Sequence, residues 1–420
     1  MLKLFRNRSG FFKDSLTLIS GMSLAQSIPF LISPILTRLY SPDEFGAYAI
    51  YAALTGVLAV IVTGRYEPAI LLPESQKDAE HVTVLAIMIT FLVSVTSLVL
   101  IIFLNHEIVT AFNVPEISSF LYLVPFSLLF IGLTQTYTYY LNRSKKYGTI
   151  STAKLTQTTT LAGGQIGFGY FGLSSSGLIL GTVLGSAAGW LHLKIKSKLA
   201  RISKKNFSPD VIRKMARRYE NFPKINAPHA FTNSLSSRFP VFFLSSFFGS
   251  SIAGFFSLST QVSLQPVKVV AAAIGQVFSR TISEKYNQGE NIHQFTRQTV
   301  LRLAAIAIIP FIAVIIIAPG LFEIIFGSEW RIAGEYTQVL LPSYFMVFIV
   351  SPTVFIPAML GKQKKAFIIE LIYLALRFSA IMVGVVLNTA YLALILYSVT
   401  GICVQLYLIN WILRISKENS

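Results

Sequence analysis

The chain has 420 residues, 53% of them hydrophobic and only 13% charged, against about 25% charged in a typical soluble domain. That composition excludes an ordinary soluble enzyme and implies a polytopic membrane protein. The formal net charge is +17, but the cations are strung between apolar runs, the pattern of positive-inside topology, and no nucleic-acid partner is expected.

Taken in order, twelve apolar runs are each long enough, at about 1.5 Å per residue, to cross a hydrocarbon core of about 30 Å. They cover 15–36, 46–63, 82–104, 117–141, 149–171, 176–193, 225–248, 252–278, 298–318, 337–360, 366–387 and 391–413. The basic, then apolar start MLKLFRNRSGFFKDSL resembles a signal peptide. It lacks an A-x-A cleavage site and runs into a full span, so it is expected to be retained. With both termini inside, 28 Lys and Arg fall in cytoplasmic segments, only Arg38 and Arg331 fall outside, and the other five lie within spans. Shifting the count by one span destroys this bias.

Near the midpoint, KIKSKLARISKKNFSPDVIRKMARRYENFP carries ten Lys and Arg. A Lys or Arg at the centre of a spanning helix costs about 2.5–3.5 kcal/mol on insertion scales, so this stretch stays cytoplasmic. It divides the chain into an N-terminal lobe (1–193), a basic linker (194–224) and a C-terminal lobe (225–420). Ser208-Pro209-Asp210 followed by VIRKMARRYE reads as a surface helix along the anionic leaflet or as a solvated linker. Weak symmetry supports two halves. LNRSKK at Leu141–Lys146 is echoed by LGKQKK at Leu360–Lys365, and Phe45–Tyr48 by Ala253–Phe256. The expected fold is therefore all-α, with twelve transmembrane helices in two six-helix lobes around a central cavity.

Prolines interrupt several spans, at Pro29, Pro34, Pro125, Pro240, Pro266, Pro310, Pro352 and Pro357. The glycines of Gly163–Gly167 and of Gly181-x-x-x-Gly185 read as helix packing more than as pore lining. Ser41-Pro42-Asp43-Glu44 reads as the start of the second span, not as acid–base chemistry.

Charges inside spans are functional candidates by default. Lys154, Arg238, Lys268, Arg302 and Arg377 face one acid, Glu370, so most of them need a hydrated cavity or an anionic ligand. Lys154 and Arg302 lie near span ends, where they either bind or simply snorkel. At 100° per residue, Lys154, Gln157, Thr158 and Gln165 share a face of the fifth span. Asn226, His229, Asn233 and Ser237 align on the seventh, and Gln261, Gln265, Lys268 and Gln276 on the eighth. Glu370, Tyr373 and Arg377 share a face of the eleventh. Each amide alone could be helix–helix glue. Amides beside cations on several spans suit a polyhydroxylated anion, with Arg gripping phosphate through its fork. Glu370 is a possible coupling group, but is expected to hold Arg377 instead.

No catalytic constellation is present. The five histidines show no metal-ligand spacing, no G-x-S-x-G or Walker A sequence occurs, and Cys403 is the only cysteine. No enzyme activity, metal or cofactor is expected.

LTRLYSPDEFGAYAIYAAL (Leu36–Leu54) and TGRYEPAILLPESQKDAE (Thr63–Glu80) resemble the opening of bacterial polysaccharide flippases. These are the O-antigen-type exporters of the multidrug/oligosaccharidyl-lipid/polysaccharide superfamily. The resemblance implies movement of an undecaprenyl-pyrophosphate-linked oligosaccharide, such as a lipopolysaccharide O-antigen unit, from the inner to the outer leaflet of the inner membrane. Membrane lipids are expected as partners as well, and function as a monomer is the expectation for an oligomeric state that the sequence leaves open. A drug exporter or a lipid II flippase of the same superfamily, or a membrane glycan polymerase, are the alternatives. The cationic cavity disfavours the first, and the short outer loops disfavour the last.

Overall fold

The computed structural model describes residues 2–197 and 208–418, with side chains from residue 21 onward. The linker cations Lys198, Arg201, Lys204 and Lys205 lie outside the described residues. Among the described residues there is no strand. The helices are α1 (Leu2–Leu39), α2 (Pro42–Ala59), α3 (Gln76–Phe112), α4 (Ser118–Leu121), α5 (Val124–Arg143), α6 (Tyr147–Tyr170), α7 (Ser174–Lys196), α8 (Pro209–Arg218), α9 (Ala227–Phe248), α10 (Ser250–Asn287), α11 (Ile292–Phe326), α12 (Arg331–Val350), α13 (Ile356–Met359), α14 (Gln363–Val386) and α15 (Ala390–Glu418). Seven of these stretches are long and apolar enough to cross a membrane. They become eight when 115–121 and 124–143, bent by 53°, form one broken span. The other four predicted spans lie on α1, α2, α6 and α9.

Local chemistry explains the boundaries. Ser41 caps α2, and the Glu44 carboxylate reaches back to the Ser41 N–H at 2.8 Å, a reciprocal pair that satisfies two orphan donors. Ser75 caps α3 through the Asp78 N–H. Asn113 closes that helix in the left-handed region at φ 53°, which Asn tolerates better than most residues. Pro352 and Pro357 stand where α12 gives way to a 3-10 turn and then to α13. Pro240 and Pro310 are carried inside α9 and α11.

Two compact units make up the chain, Met1–Ala253 and Gly254–Ser420. In the first, α6 packs on α7 and α1, α5 on α3 and α7, and α9 on α2. Its core gathers Ile50, Tyr51, Leu121, Leu128 and Ile179, and the Tyr51 hydroxyl pairs with Ser127 at 2.8 Å. In the second, α12 packs on α11 and α15, and α15 on α14.

Lipid tails are as apolar as Leu, so helices associate in a membrane through close packing and hydrogen bonds. The α6–α7 contact shows how close. A Cβ at Gly181 would lie 2.7 Å from the Gln165 backbone nitrogen, and one at Gly185 2.8 Å from the Gln157 carbonyl oxygen. These glycines are packing residues. Gly163 and Gly167 have open space where a Cβ would stand.

α8 forms where the sequence placed it, with Pro209 in its first turn, although the Ser208 side chain makes no capping bond. Ile212, Met215 and Tyr219 are buried, α8 packs on α3, and the Tyr66 hydroxyl donates to the Ala216 carbonyl at 3.0 Å. Arg213, Lys214, Arg217 and Arg218 remain exposed.

Next to the α2 cap, the Asp43 carboxylate accepts hydrogen bonds from Ser250 and Ser251 at 2.6 and 2.5 Å. A Cβ at Gly46 would lie 1.9 Å from the Ser250 carbonyl oxygen, so glycine is required for this approach. The two serine hydroxyls hold the Asp43 carboxyl below its ordinary range.

Two outcomes follow from this packing. Gly185→Leu overpacks the α6–α7 contact and should cost about 1–3 kcal/mol, read as a lower Tm in detergent, whereas Gly163→Ala should be neutral. Because the Asp43 pKa is depressed on folding, its stabilisation is present above the ordinary carboxylate value and fades as pH falls through the folded one. Thermal scans into acid should therefore show a steeper loss in wild type than in a Ser250→Ala/Ser251→Ala variant.

Candidate functional site

Two polar clusters, one in each unit, contain predicted site residues. In the first unit, Arg238 projects from α9 toward α2. Its Nη1 donates to the Ala52 carbonyl at 3.2 Å, and the guanidinium fills the space beside Gly56, where a Cβ would lie 2.3 Å from Cζ. Tyr48 of α2 is close enough to interact with it electrostatically. The Tyr48 hydroxyl accepts from Thr182 at 3.2 Å, and Thr182 in turn accepts from Gln165 Nε2 at 3.4 Å. On α6, half-buried Lys154 donates to Gln157 Oε1 at 3.0 Å. Neither cation has a carboxylate within ion-pair distance among the described residues. Their contacts are neutral carbonyl, amide and phenol groups.

His229, Asn233 and Ser237 are exposed on α9, and Asn226 is exposed just before it. A polar row exposed along a spanning helix is costly against hydrocarbon. On α10 of the second unit, Gln265, Lys268 and Gln276 are likewise exposed and Gln261 is partly buried.

The second unit's other cluster surrounds Arg377 of α14. Its guanidinium lies over the Tyr373 ring at 3.8 Å and over the Tyr397 ring at 4.6 Å, an arrangement that favours a desolvated cation. A Cβ at Gly401 would lie 2.2 Å from Ser343 Oγ and 3.2 Å from the Tyr373 hydroxyl, so these two groups converge there. Among the described residues, the hydroxyls of Tyr373, Ser343 and Ser398, and Arg377 Nε, are buried without a hydrogen bond of good geometry, although Arg377 and Ser343 both lie close enough to interact with the Tyr373 hydroxyl. Tyr344, Tyr397, Ser343 and Ser398 were not singled out from the sequence. Only tyrosines four residues from a charge, or facing it from another helix, could have signalled them.

Two expectations need correction, for Gln165 and for Glu370. Gln165 does not line a cavity: it is 3% exposed, and its amide donates to the Leu178 carbonyl at 3.0 Å, gluing α6 to α7. Arg302 is exposed on the same helical face of α11 as Ile306, Ile309 and Ile316, each at least 70% exposed. This exposed isoleucine row favours the second of the two expectations for Arg302, snorkelling over binding. Glu370 does not hold Arg377, because no ion pair joins them and the tyrosine rings take its place.

Among the described residues no group of three His, Cys, Asp or Glu side chains is arranged to hold a metal. What the clusters can do is bind negative charge and hydroxyl-rich groups without a competing carboxylate.

The architecture is shared with solved transporters. A multidrug resistance MATE family transporter of the MOP superfamily, inward-facing, aligns with a TM-score of 0.70 at 14% identity, covering 94% of this chain and 96% of that one. The lipid II flippase MurJ in an inward closed conformation aligns at 0.69 and 14% identity, covering 93% and 87%. A MOP superfamily transporter from Pyrococcus furiosus, described as having a binding pocket of reversed polarity, aligns at 0.59 and 14% identity, covering 97% and 96%. At this identity the likeness establishes the fold: an all-α, multi-pass membrane transporter fold with two lobes. No curated protein matches the sequence. Residues 35–334 match the model of the polysaccharide biosynthesis protein family, and the chain belongs to that family.

Proposed function

We propose that this protein is a flippase that carries an undecaprenyl-pyrophosphate-linked oligosaccharide, an O-antigen or similar repeat unit, from the cytoplasmic to the outer leaflet of a bacterial inner membrane. The observation that carries the reading is the set of in-span cations, Lys154, Arg238 and Arg377, which have no carboxylate partner among the described residues. An unpaired charge in a spanning helix is maintained against a cost of several kcal/mol, and an anionic headgroup supplies the missing partner. The substrate has three parts, and the chain offers a match for each. Pyrophosphate suits the cations that each unit carries, the glycan suits the exposed Asn, Gln and His rows, and the lipid tail stays in the bilayer. Lys268 stands beside the exposed Gln265 and Gln276 on α10, and its positive charge is the reason to include it in the proposed site. The protein works as a non-enzymatic transporter by alternating access, with both termini cytoplasmic and twelve spans. Lipid II presents the same pyrophosphate with a different glycan, so an assay with defined lipid-linked glycans is the direct test.

Arg238→Gln, Lys268→Gln and Arg377→Gln should each lower flipping of a fluorescent lipid-linked glycan in proteoliposomes by on the order of tenfold or more, the loss of one charge-assisted contact of about 1.5–3 kcal/mol, without loss of membrane insertion. Arg302→Gln should flip at the wild-type rate. Wild-type flux in all three of the first set rejects the anion site.

An inside-negative potential favours outward movement of an anion by about 2.3 kcal/mol per charge per 100 mV. Two uncompensated pyrophosphate charges give an upper value of about 4.6 kcal/mol by the same relation. Flipping should therefore rise with an imposed inside-negative potential and persist in Glu370→Gln. Transport indifferent to potential and abolished by Glu370→Gln would replace this drive with proton exchange through Glu370.

A further inference from the structure

The Arg377 cluster of the second unit has more donors than its neighbours can use. α12 and α14 both pack on α15, which brings Ser343 together with Tyr373 and Arg377, and with Tyr397 and Ser398. Ser343, Tyr397 and Ser398 are buried. Inside a spanning bundle every such polar group must find its partner within the protein or in something the protein holds. Among the described residues, Arg377 Nε and the hydroxyls of Ser343, Tyr373 and Ser398 have no hydrogen bond of good geometry. All four can donate, and the guanidinium nitrogen can do nothing else.

A missing side chain lets these groups gather. A Cβ at Gly401 would lie 2.2 Å from Ser343 Oγ and 3.2 Å from the Tyr373 hydroxyl, so glycine leaves α15 open where the two hydroxyls meet. Ser398 stands three residues earlier on the same helix, on the adjoining part of that face. Arg377 also lies within reach of the Tyr373 hydroxyl, and its guanidinium is 3.8 Å from the Tyr373 ring centroid and 4.6 Å from that of Tyr397.

What the cluster lacks is negative charge. Among the described residues no carboxylate stands within ion-pair distance of Arg377, and the aromatic rings offer only their quadrupoles. The hydroxyls could satisfy one another, and a water could satisfy them all, but neither neutralises the guanidinium. A monovalent anion does both. The donors stand too close together for a phosphate group to enter without moving them apart, so the ion that suits this arrangement is monoatomic.

We propose that the cluster is a halide site, where chloride accepts hydrogen bonds from Arg377, Ser343, Tyr373 and Ser398 and serves as the resident counterion of the guanidinium. The site goes beyond the proposed function. One consequence rests on that reading: an arriving pyrophosphate headgroup displaces the halide, so Arg377 exchanges one anion for another and is never left buried and uncompensated.

The test follows chloride-35 NMR line broadening by the full-length protein in nanodiscs of zwitterionic lipid, in gluconate buffer at constant ionic strength. Wild type should give a saturable signal that bromide reverses by competition. Arg377→Gln should weaken chloride binding by on the order of tenfold, about 1.4 kcal/mol. Ser343→Ala and Tyr373→Phe each delete one donor without adding bulk and should weaken it several-fold, which keeps the test decisive if Arg377→Gln folds poorly. Exposed cations also attract chloride, so Arg302→Gln is the reference and should keep the wild-type signal. No saturable signal in wild type, or one unchanged in Arg377→Gln, Ser343→Ala and Tyr373→Phe, overturns the site. If that happens while flipping is normal, the proposed function stands without it. Undecaprenyl pyrophosphate should displace the bound chloride. Chloride that is lost in the three variants but not displaced by the lipid confirms the halide site and removes Arg377 from the headgroup contacts.

Discussion

A guanidinium or ammonium inside a spanning helix must find something to replace water, and the choice of replacement shapes both halves of this chain. A carboxylate would neutralise the charge and close the site. Here Arg238 is given a backbone carbonyl of α2 and a nearby phenol, Lys154 a glutamine oxygen, and Arg377 two tyrosine faces. Each neutral partner lowers the cost of burial without cancelling the charge. The helices must then come close enough to deliver those partners, which requires small residues. Arg238 lies in the space left at Gly56, and Lys154 meets Gln157 on a helix whose backbone touches Gly185. Electrostatic readiness and tight packing are therefore one requirement.

The same constraint explains what was legible in the sequence. Spans, helix starts and the basic helix follow from short-range rules, and α2 and α8 begin where Ser41-Pro42 and Ser208-Pro209 indicate, whereas the Ser75 cap that starts α3 six residues before the expected span is not among the expected starts. The identity of the in-span cations is equally local, because any Lys or Arg in an apolar run stands out. What surrounds each one is not local. Gln165 and Gln157 share a helix face in the sequence, yet one is consumed by the Leu178 carbonyl of α7 and the other meets Lys154. Helical periodicity assigns a face but not the neighbour opposite it. Arg302 is ambiguous for the same reason, and the exposure of Ile306, Ile309 and Ile316 favours snorkelling over binding. Glu370 and Arg377 are two turns apart, which permits a pair but does not compel one once aromatic rings compete.

Contacts outside the spans are harder still to read. In the connection between α2 and α3, Arg65 and Glu67 are two residues apart in a polar stretch, where charged residues are ordinary and usually solvated. Nothing in the letters indicates that two left-handed residues, Gly64 and Arg65, turn one side chain inward and bury the other's nitrogen. Nor do they show that Arg143, itself one of several cations after the fourth span, spends its hydrogen bonds on carbonyls of that connection. Strain and burial are tertiary facts, and here they convert a solvated-looking motif into a constrained ion pair.

Charge placement also separates two environments. Cations on α8 are exposed, so they attract anions without selecting among them. Those on α9 and α14 are partly desolvated, where a contact with an anion would be stronger and its geometry would matter more. On the proposed function, a site of the second kind must bind an anion and then release it. Neutral partners suit that demand, because the Ala52 carbonyl, Gln157 and the Tyr373 ring lower the cost of the empty site without cancelling its charge. A carboxylate partner would compete too well for the anion to bind, and a cation with no partner at all would hold it too tightly to let go.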